Sequence, residues 1–358
     1  MQNYQSGYDK RRALSILPIM ALAAAILFAG CTPQLGQGVK GQTKKSAVSA
    51  FLTHFTGGFG ISTPERATKA ADGIQVVFKY GEPPSLTDSL GQALNSLHMK
   101  VIDAMPWTYL YRYECHRLKT IESPSAFASY CNGDYPEMAN EDALFAALTA
   151  HLRQVKANPL IIGYWVLDDW VQDAGDGKQI LMHIHTLIQK YTPGRPTICG
   201  FGGSIGLNQD YEWEDWVANN FSPQGCDMVA PYIYTPSMAN GTPPPDPDAF
   251  NWSMQGLLPA LFTSLKQRGW DIKKEPLIGI GQAFGGPFTE GNRYYVVPNA
   301  KDIATQSKSF CEHGATGLVF YTWDSSGFGP TNQTPMNSPE IEMGIQNGVA
   351  ACKGIWRS

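Results

Sequence analysis

The fold class this sequence predicts is α/β, a single-domain (β/α)8 barrel with extended loops after some strands, and three observations predict it. Short apolar runs of the kind that buried parallel strands show recur eight times along the chain. Segments of helical period separate them. Residues 46–358 are long enough for eight such units, and a chain that is 43% hydrophobic and 16% charged has the apolar content for one large core. The same composition excludes a disordered chain, and 36 Gly with 25 Pro exclude a coiled coil. With 27 basic against 31 acidic side chains, the net charge of −4 offers nothing to a phosphate backbone, so no nucleic-acid partner is expected.

Residues 1–30 read as an address rather than fold. Lys10, Arg11 and Arg12 precede an uncharged run from Ala13 to Gly30 that ends Leu27-Phe28-Ala29-Gly30-Cys31, with small residues before a cleavage point. The segment resembles a bacterial lipoprotein signal. That resemblance implies cleavage before Cys31, a lipid on its thiol, and attachment to an envelope membrane; a plain N-terminal membrane anchor is the alternative, since the run just suffices to span a bilayer. Both place the remainder outside the cytoplasm. Residues 31–45, rich in Gln, Gly and Lys, read as a flexible tether to the barrel of residues 46–358.

The predicted strands are Phe51–Phe55, Ile74–Tyr80, His98–Met105, Leu160–Leu167, Thr197–Gly202, Asp227–Tyr234, Leu277–Phe284 and Gly317–Trp323. Three intervening segments present one apolar helix face each: Leu86 to Leu97, Leu144 to Val155, and Ile180 to Ile188. A doubly wound sheet is the alternative. It lacks its phosphate loop, because Gly200-Phe201-Gly202-Gly203 and Gly279-Ile280-Gly281 both fail the G-x-G-x-x-G pattern at the third glycine. Long connections are expected at Trp107–Asn140 and Pro236–Gly256, lengths that usually serve binding or gating.

With Cys31 set aside, Cys115, Cys131, Cys199, Cys226, Cys311 and Cys352 remain, an even number for an oxidising compartment. Six cysteines allow fifteen connectivities. Nearness in the chain favours Cys115–Cys131, Cys199–Cys226 and Cys311–Cys352. No Cys-x-x-Cys pair or zinc spacing occurs, and His183 and His185, two apart in a helix, face different directions; no metal and no cofactor are expected. Nor is there a G-x-S-x-G elbow, an H-E-x-x-H helix or a Walker loop.

In a barrel, chemistry sits at the carboxyl ends of the strands. There the fourth strand ends Leu167-Asp168-Asp169-Trp170, the second Lys79-Tyr80-Gly81-Glu82, the sixth Tyr232-Ile233-Tyr234, the seventh Gly281-Gln282, and the eighth Trp323-Asp324, while Asp103 precedes Pro106-Trp107. Carboxylates beside aromatic rings are what breaking a glycosidic bond requires: one protonates the leaving oxygen, a second acts as nucleophile or base, and flat rings carry the sugar. Trp107, Trp170, Trp213, Trp216, Trp252 and Trp323 all fall at this rim in the strand assignment, although packing explains any one of them equally well. Strand alternation aims only one of Asp168 and Asp169 at the mouth. Asp103 reads equally as a buried carboxylate bonded to backbone amides, Asp324 as a turn residue, and Tyr232 and Tyr234 as pocket lining or packing.

Leu160–Asp169, Tyr191–Pro196, Asp227–Tyr232, Gly281–Phe284 and Gly314–Trp323 resemble successive blocks of uncharacterised glycoside-hydrolase-like barrel proteins, over about Ile74 to Asp324. In that family the fourth strand ends Asp-Glu, which puts Asp169 at the position of the acid/base. The nucleophilic Glu that classical retaining relatives carry at the end of strand seven is here Gln282, an amide that cannot attack. The resemblance therefore implies a lipid-anchored hydrolase of an extracellular or envelope polysaccharide, monomeric, with Asp169 as proton donor. Its second carboxylate is Asp168 or Asp324, with Glu82 and Glu290 as further candidates. Glu82, Asp103, Trp107, Trp170, Tyr232, Tyr234, Gln282 and Trp323 are the expected sugar contacts. A glycan-binding lipoprotein without catalysis is the alternative, and a barrel lyase a third reading.

Overall fold

The computed structural model describes residues 52–122, 131–168, 177–204, 220–234, 238–239, 254, 258–288, 293–323 and 332–358, all within the compact unit Lys44–Ser358. Cys31, Asp169, Trp170, Trp213, Trp216, Trp252, Glu290 and Asp324 lie outside the described residues. The strands are β1 (Phe55–Phe59), β2 (Val76–Lys79), β3 (Lys100–Asp103), β4 (Ile161–Leu167), β5 (Thr197–Ser204), β6 (Met228–Tyr234), β7 (Met238–Ala239), β8 (Ile278–Gln282), β9 (Gly286–Phe288), β10 (Arg293–Tyr295) and β11 (Gly317–Tyr321). Eight of them, β1 to β6, β8 and β11, pair in parallel in chain order, and β11 returns to β1 to close the barrel. The predicted (β/α)8 architecture is what the chain adopts. Strands β7, β9 and β10 form a separate antiparallel sheet.

The helices are α1 (Pro64–Ala70), α2 (Ser89–Ser96), α3 (Met105–Arg117), α4 (Glu141–Val155), α5 (Gly177–Tyr191), α6 (Leu258–Gln267), α7 (Ala300–Glu312) and α8 (Pro339–Trp356). Their starts follow from local chemistry: Thr63, Asp88, Asn140, Asn299 and Ser338 each accept a backbone N–H of the first turn that has no partner inside the helix. On α4 the buried stripe is Leu144, Leu148, Leu152 and Val155, and on α5 Ile180, Leu181, Ile184 and Ile188, the faces that the sequence period picks out.

Two expectations are corrected. The first strand is Phe55–Phe59 rather than Phe51–Phe55. Gly57 and Gly58 weaken its strand signal, yet both are needed: a Cβ on Gly57 would stand 3.1 Å from Val319, and one on Gly58 2.7 Å from the ring of Trp323. Trp107–Asn140 is not an irregular connection, since it holds most of α3, a π-helical turn at Leu118–Glu122 and a 3₁₀ turn at Pro136–Met138. Tyr, Arg, Glu and His interleave all round α3, which leaves no apolar stripe to read.

All three cysteine pairs expected from nearness are present, with Cα–Cα distances of 5.6, 5.6 and 5.5 Å. Cys115–Cys131 holds the end of α3 to the chain that leads into α4. In the chain-entropy treatment a closed loop of this length stabilises by about 3 kcal/mol. Replacing both cysteines by Ala is expected to lower the unfolding free energy by about that amount, measured by urea denaturation under non-reducing conditions; a change below about 1 kcal/mol would show that the loop contributes little.

Candidate active site at the carboxyl end of the barrel

Register decides which side chains reach the barrel axis, because neighbouring parallel strands present in-register residues to the same face. Phe78 of β2 faces the axis, its ring 4.8 Å from Phe59 and 5.6 Å from Trp165. Two residues on, Tyr80 keeps that face and stacks on Phe59 at 5.5 Å. Lys79 has the opposite parity and pairs with Asp103, so Asp103 belongs to the helix side of the sheet.

Strict alternation along β4 from the inward Trp165 would send Leu167 to the axis and Asp168 away. The β4–β5 register prevents this: Trp165 pairs with Ile198 but Leu167 with Cys199, two residues of β4 against one of β5. Past this bulge the parity reverses. Asp168 turns to the axis, where Tyr80 donates its hydroxyl hydrogen to Oδ2 of the carboxylate. Tyr321, at the end of β11, lies 5.4 Å from Phe59 and 5.8 Å from Tyr234, and Tyr234 lies 5.5 Å from Tyr232. Phe284 closes this arc, 5.1 Å from Tyr234 and 5.6 Å from Tyr321, and Tyr295 of the small sheet backs it at 5.0 Å. Tyr232 fits because Gly202 has no side chain; a Cβ there would stand 1.8 Å from the ring. Among the described residues, the mouth thus holds the Asp168 carboxylate, bonded by Tyr80, beside an arc of further aromatic rings.

Burial first, then the charge of Asp168 and the neighbouring Tyr321, hold the Tyr80 hydroxyl well above the usual tyrosine range, and its own bond to Asp168 and the proximity of Tyr234 add to this. The protonated phenol is therefore the form that fits the fold. Stability from it is fully present below the unfolded-state value of about 10 and is lost as pH rises through that value toward the higher folded one. Tyr80→Phe is expected to move the alkaline unfolding midpoint to higher pH, followed by far-ultraviolet circular dichroism between neutral pH and pH 12; a midpoint that stays or falls contradicts this placement.

The other predicted site residues are distributed differently. Asp103 is 0% exposed; its Oδ1 accepts the backbone N–H of Met105 at 2.9 Å and its Oδ2 bonds Nε2 of His151, on α4, at 2.7 Å. Glu82, beyond the left-handed turn at Gly81, is solvent-exposed and lies 3.9 Å from Nδ1 of the same His151. Gln282 is 0% exposed, and its Nε2 donates to the carbonyls of Phe284 and Val296 at 2.9 and 3.0 Å, bracing the wall that carries Phe284. Trp323 turns away from the mouth, over Gly58, and lines a small cavity with Ala70 and Ile74 beside α1 and Ile345 of α8. Trp107, buried in the first turn of α3, lies against Tyr111 at 5.9 Å. Of the predicted residues, the structure gathers Asp168, Tyr232 and Tyr234. Sequence reasoning missed Tyr80, Tyr321 and Phe284 as members of the site, although the period-two step from Phe78 to Tyr80 carries the signal for the first. Among the described residues no group of three or more His, Cys, Asp and Glu is placed to hold a metal ion.

No protein-family model and no curated protein matches the chain. Solved structures do. The endo-beta-1,4-mannanase from Thermotoga petrophila superposes with a TM-score of 0.53 at 11% identity, over 86% of this chain and 78% of that one. The endo-1,4-beta-mannanase from Rhizomucor miehei superposes with a TM-score of 0.50 at 10% identity, over 84% and 95%. At such identity the likeness is one of fold: this chain is a closed parallel (β/α)8 barrel, the architecture of these glycoside hydrolases.

Proposed function

We propose that the protein is a glycoside hydrolase acting on an extracellular or cell-envelope polysaccharide through a pair of carboxyl groups. The observation that carries this reading is Asp168, turned to the axis by the β4 bulge and bonded there by Tyr80, which Tyr234 and Tyr321 face, at the end of the barrel where enzymes of this fold do their chemistry. In the proposed reaction Asp169, two residues past the end of β4 and so not bound by strand alternation, gives its proton to the glycosidic oxygen as that bond breaks, while Asp168 or Asp324 attacks the anomeric carbon or takes a proton from the attacking water; water supplies the new hydroxyl. Tyr234 and Tyr321 offer flat faces to the sugar rings. The two mannanases that share this barrel architecture support a β-linked polysaccharide as the first substrate to try. Three disulfides suit an oxidising compartment, in keeping with the proposed leader of residues 1–30, a tether of residues 31–45 and lipid attachment at Cys31.

The braced amide of Gln282, where retaining relatives carry their nucleophile, favours a second reading, a glycan-binding protein without hydrolysis. Incubating the purified protein with a panel of polysaccharides, mannans included, separates the two. Release of new reducing ends supports the hydrolase; retention on a polysaccharide column with no release supports the binding protein.

A further inference from the structure

Resting on the reading of Asp168 as a catalytic carboxylate, we propose that Tyr80 is its positioning residue, and that it commits Asp168 to the role of the ionised partner, nucleophile or base, rather than proton donor. The phenol is held from behind: its ring stacks on Phe59 at 28° between planes, and Phe59, itself buried, is enclosed by Phe78, Trp165 and Tyr321. The main chain beneath it is also tied, because Nζ of Lys79 donates to the Tyr80 carbonyl at 2.5 Å before Gly81 turns the chain away with φ +70°. A hydroxyl anchored in this way has its hydrogen directed at Oδ2 of Asp168. Among the described residues, the titratable groups that face Tyr80 from other strands are Tyr234 of β6 and Tyr321 of β11.

The chemistry follows from which form of the carboxyl each partner favours. A hydrogen bond donated to a carboxylate favours its charged form, and charge-assisted bonds of this type are shorter and about twice as strong as neutral ones. A general acid must instead hold a proton until the leaving oxygen takes it. A phenol that stays protonated while giving its hydrogen bond to Asp168 therefore suits Asp168 to the nucleophile or base position. It also accounts for catalysis without a carboxylate at Gln282: the second group has moved from the seventh strand of the barrel to the fourth, and its orienting tyrosine comes from the second.

The test is Tyr80→Phe, which keeps the ring on Phe59 and removes only the hydroxyl. The carboxyl resonance of Asp168 in ¹³C-aspartate-labelled protein, assigned by its disappearance in Asp168→Asn, is expected to titrate about one pH unit higher in Tyr80→Phe than in wild type. On a polysaccharide that the wild type cleaves, kcat should fall about 10- to 100-fold with KM nearly unchanged, and the acid limb of the kcat/KM profile should move up by the same pH interval. An unmoved Asp168 titration overturns the proposal, as does a change confined to KM, which would make Tyr80 a simple sugar contact. The catalytic reading beneath it fails separately, if Asp168→Asn hydrolyses as well as wild type, or if no hydrolysis is found while the Asp168 titration still moves.

Discussion

Asp168→Asn is expected to cut the release of reducing ends by about a hundred- to ten-thousand-fold, the range that loss of one acid–base or nucleophilic carboxyl produces. The substitution changes charge with almost no change of shape. The amide oxygen can still accept the Tyr80 hydroxyl, and the half-buried position at the end of β4 needs no repacking. Thermal unfolding should therefore match wild type while kcat collapses, and KM should change little. Asp169→Asn separates the two roles. If Asp169 is the donor, its loss should spare substrates with good leaving groups such as aryl glycosides, which need little protonation, whereas loss of Asp168 should slow both classes alike. Wild-type rates in Asp168→Asn would return the second carboxylate to Asp324, Glu82 or Glu290.

What the sequence revealed and concealed here has a physical pattern. The barrel was legible because a parallel strand buried on both faces is a plain apolar run, as Leu160 to Leu167 illustrates, and its helices declare themselves by one stripe, as α4 and α5 do. Nearness in the chain sufficed to pair the cysteines. The site was less legible because it depends on parity, and a single bulge reverses parity. Nothing in Trp165-Val166-Leu167 announces that two of these residues will oppose one on β5, yet that step decides that Asp168 reaches the axis. The terminal aromatic of the last strand shows the same limit. Trp323 ends an apolar run that reads as aimed at the mouth, but β11 stops at Tyr321, which takes that place, while Trp323 crosses to the glycine at Gly58. Asp103 illustrates the converse, a carboxylate at a strand end whose partner, His151, lies 48 residues later on a helix face that otherwise reads as apolar.

That partnership makes the largest stability effect expected of one side chain. The Asp103 carboxyl and His151 imidazole are 0% and 1% exposed and joined at 2.7 Å, and the carboxyl also accepts the Met105 amide. Together they fasten β3 to α3 and α4. His151→Leu fills the space but leaves Asp103 dry with one donor where it had two, and breaking a buried pair from one side costs about 3–5 kcal/mol. Asp103→Asn should cost less, since its amide oxygen can still cap α3 while its nitrogen faces His151. In His151→Leu with Asp103→Leu, most of the penalty of the stranded group disappears, so the double variant should be more stable than the sum of the singles predicts by about 1–3 kcal/mol. Chemical denaturation of the four proteins checks this, and additivity within about 0.5 kcal/mol would mean that the two groups do not support each other. The same series tests where Asp103 acts. A carboxyl on the helix side of β3 should change the denaturation midpoint and leave kcat and KM as they are, whereas a sugar contact would raise KM in Asp103→Asn with the midpoint nearly in place.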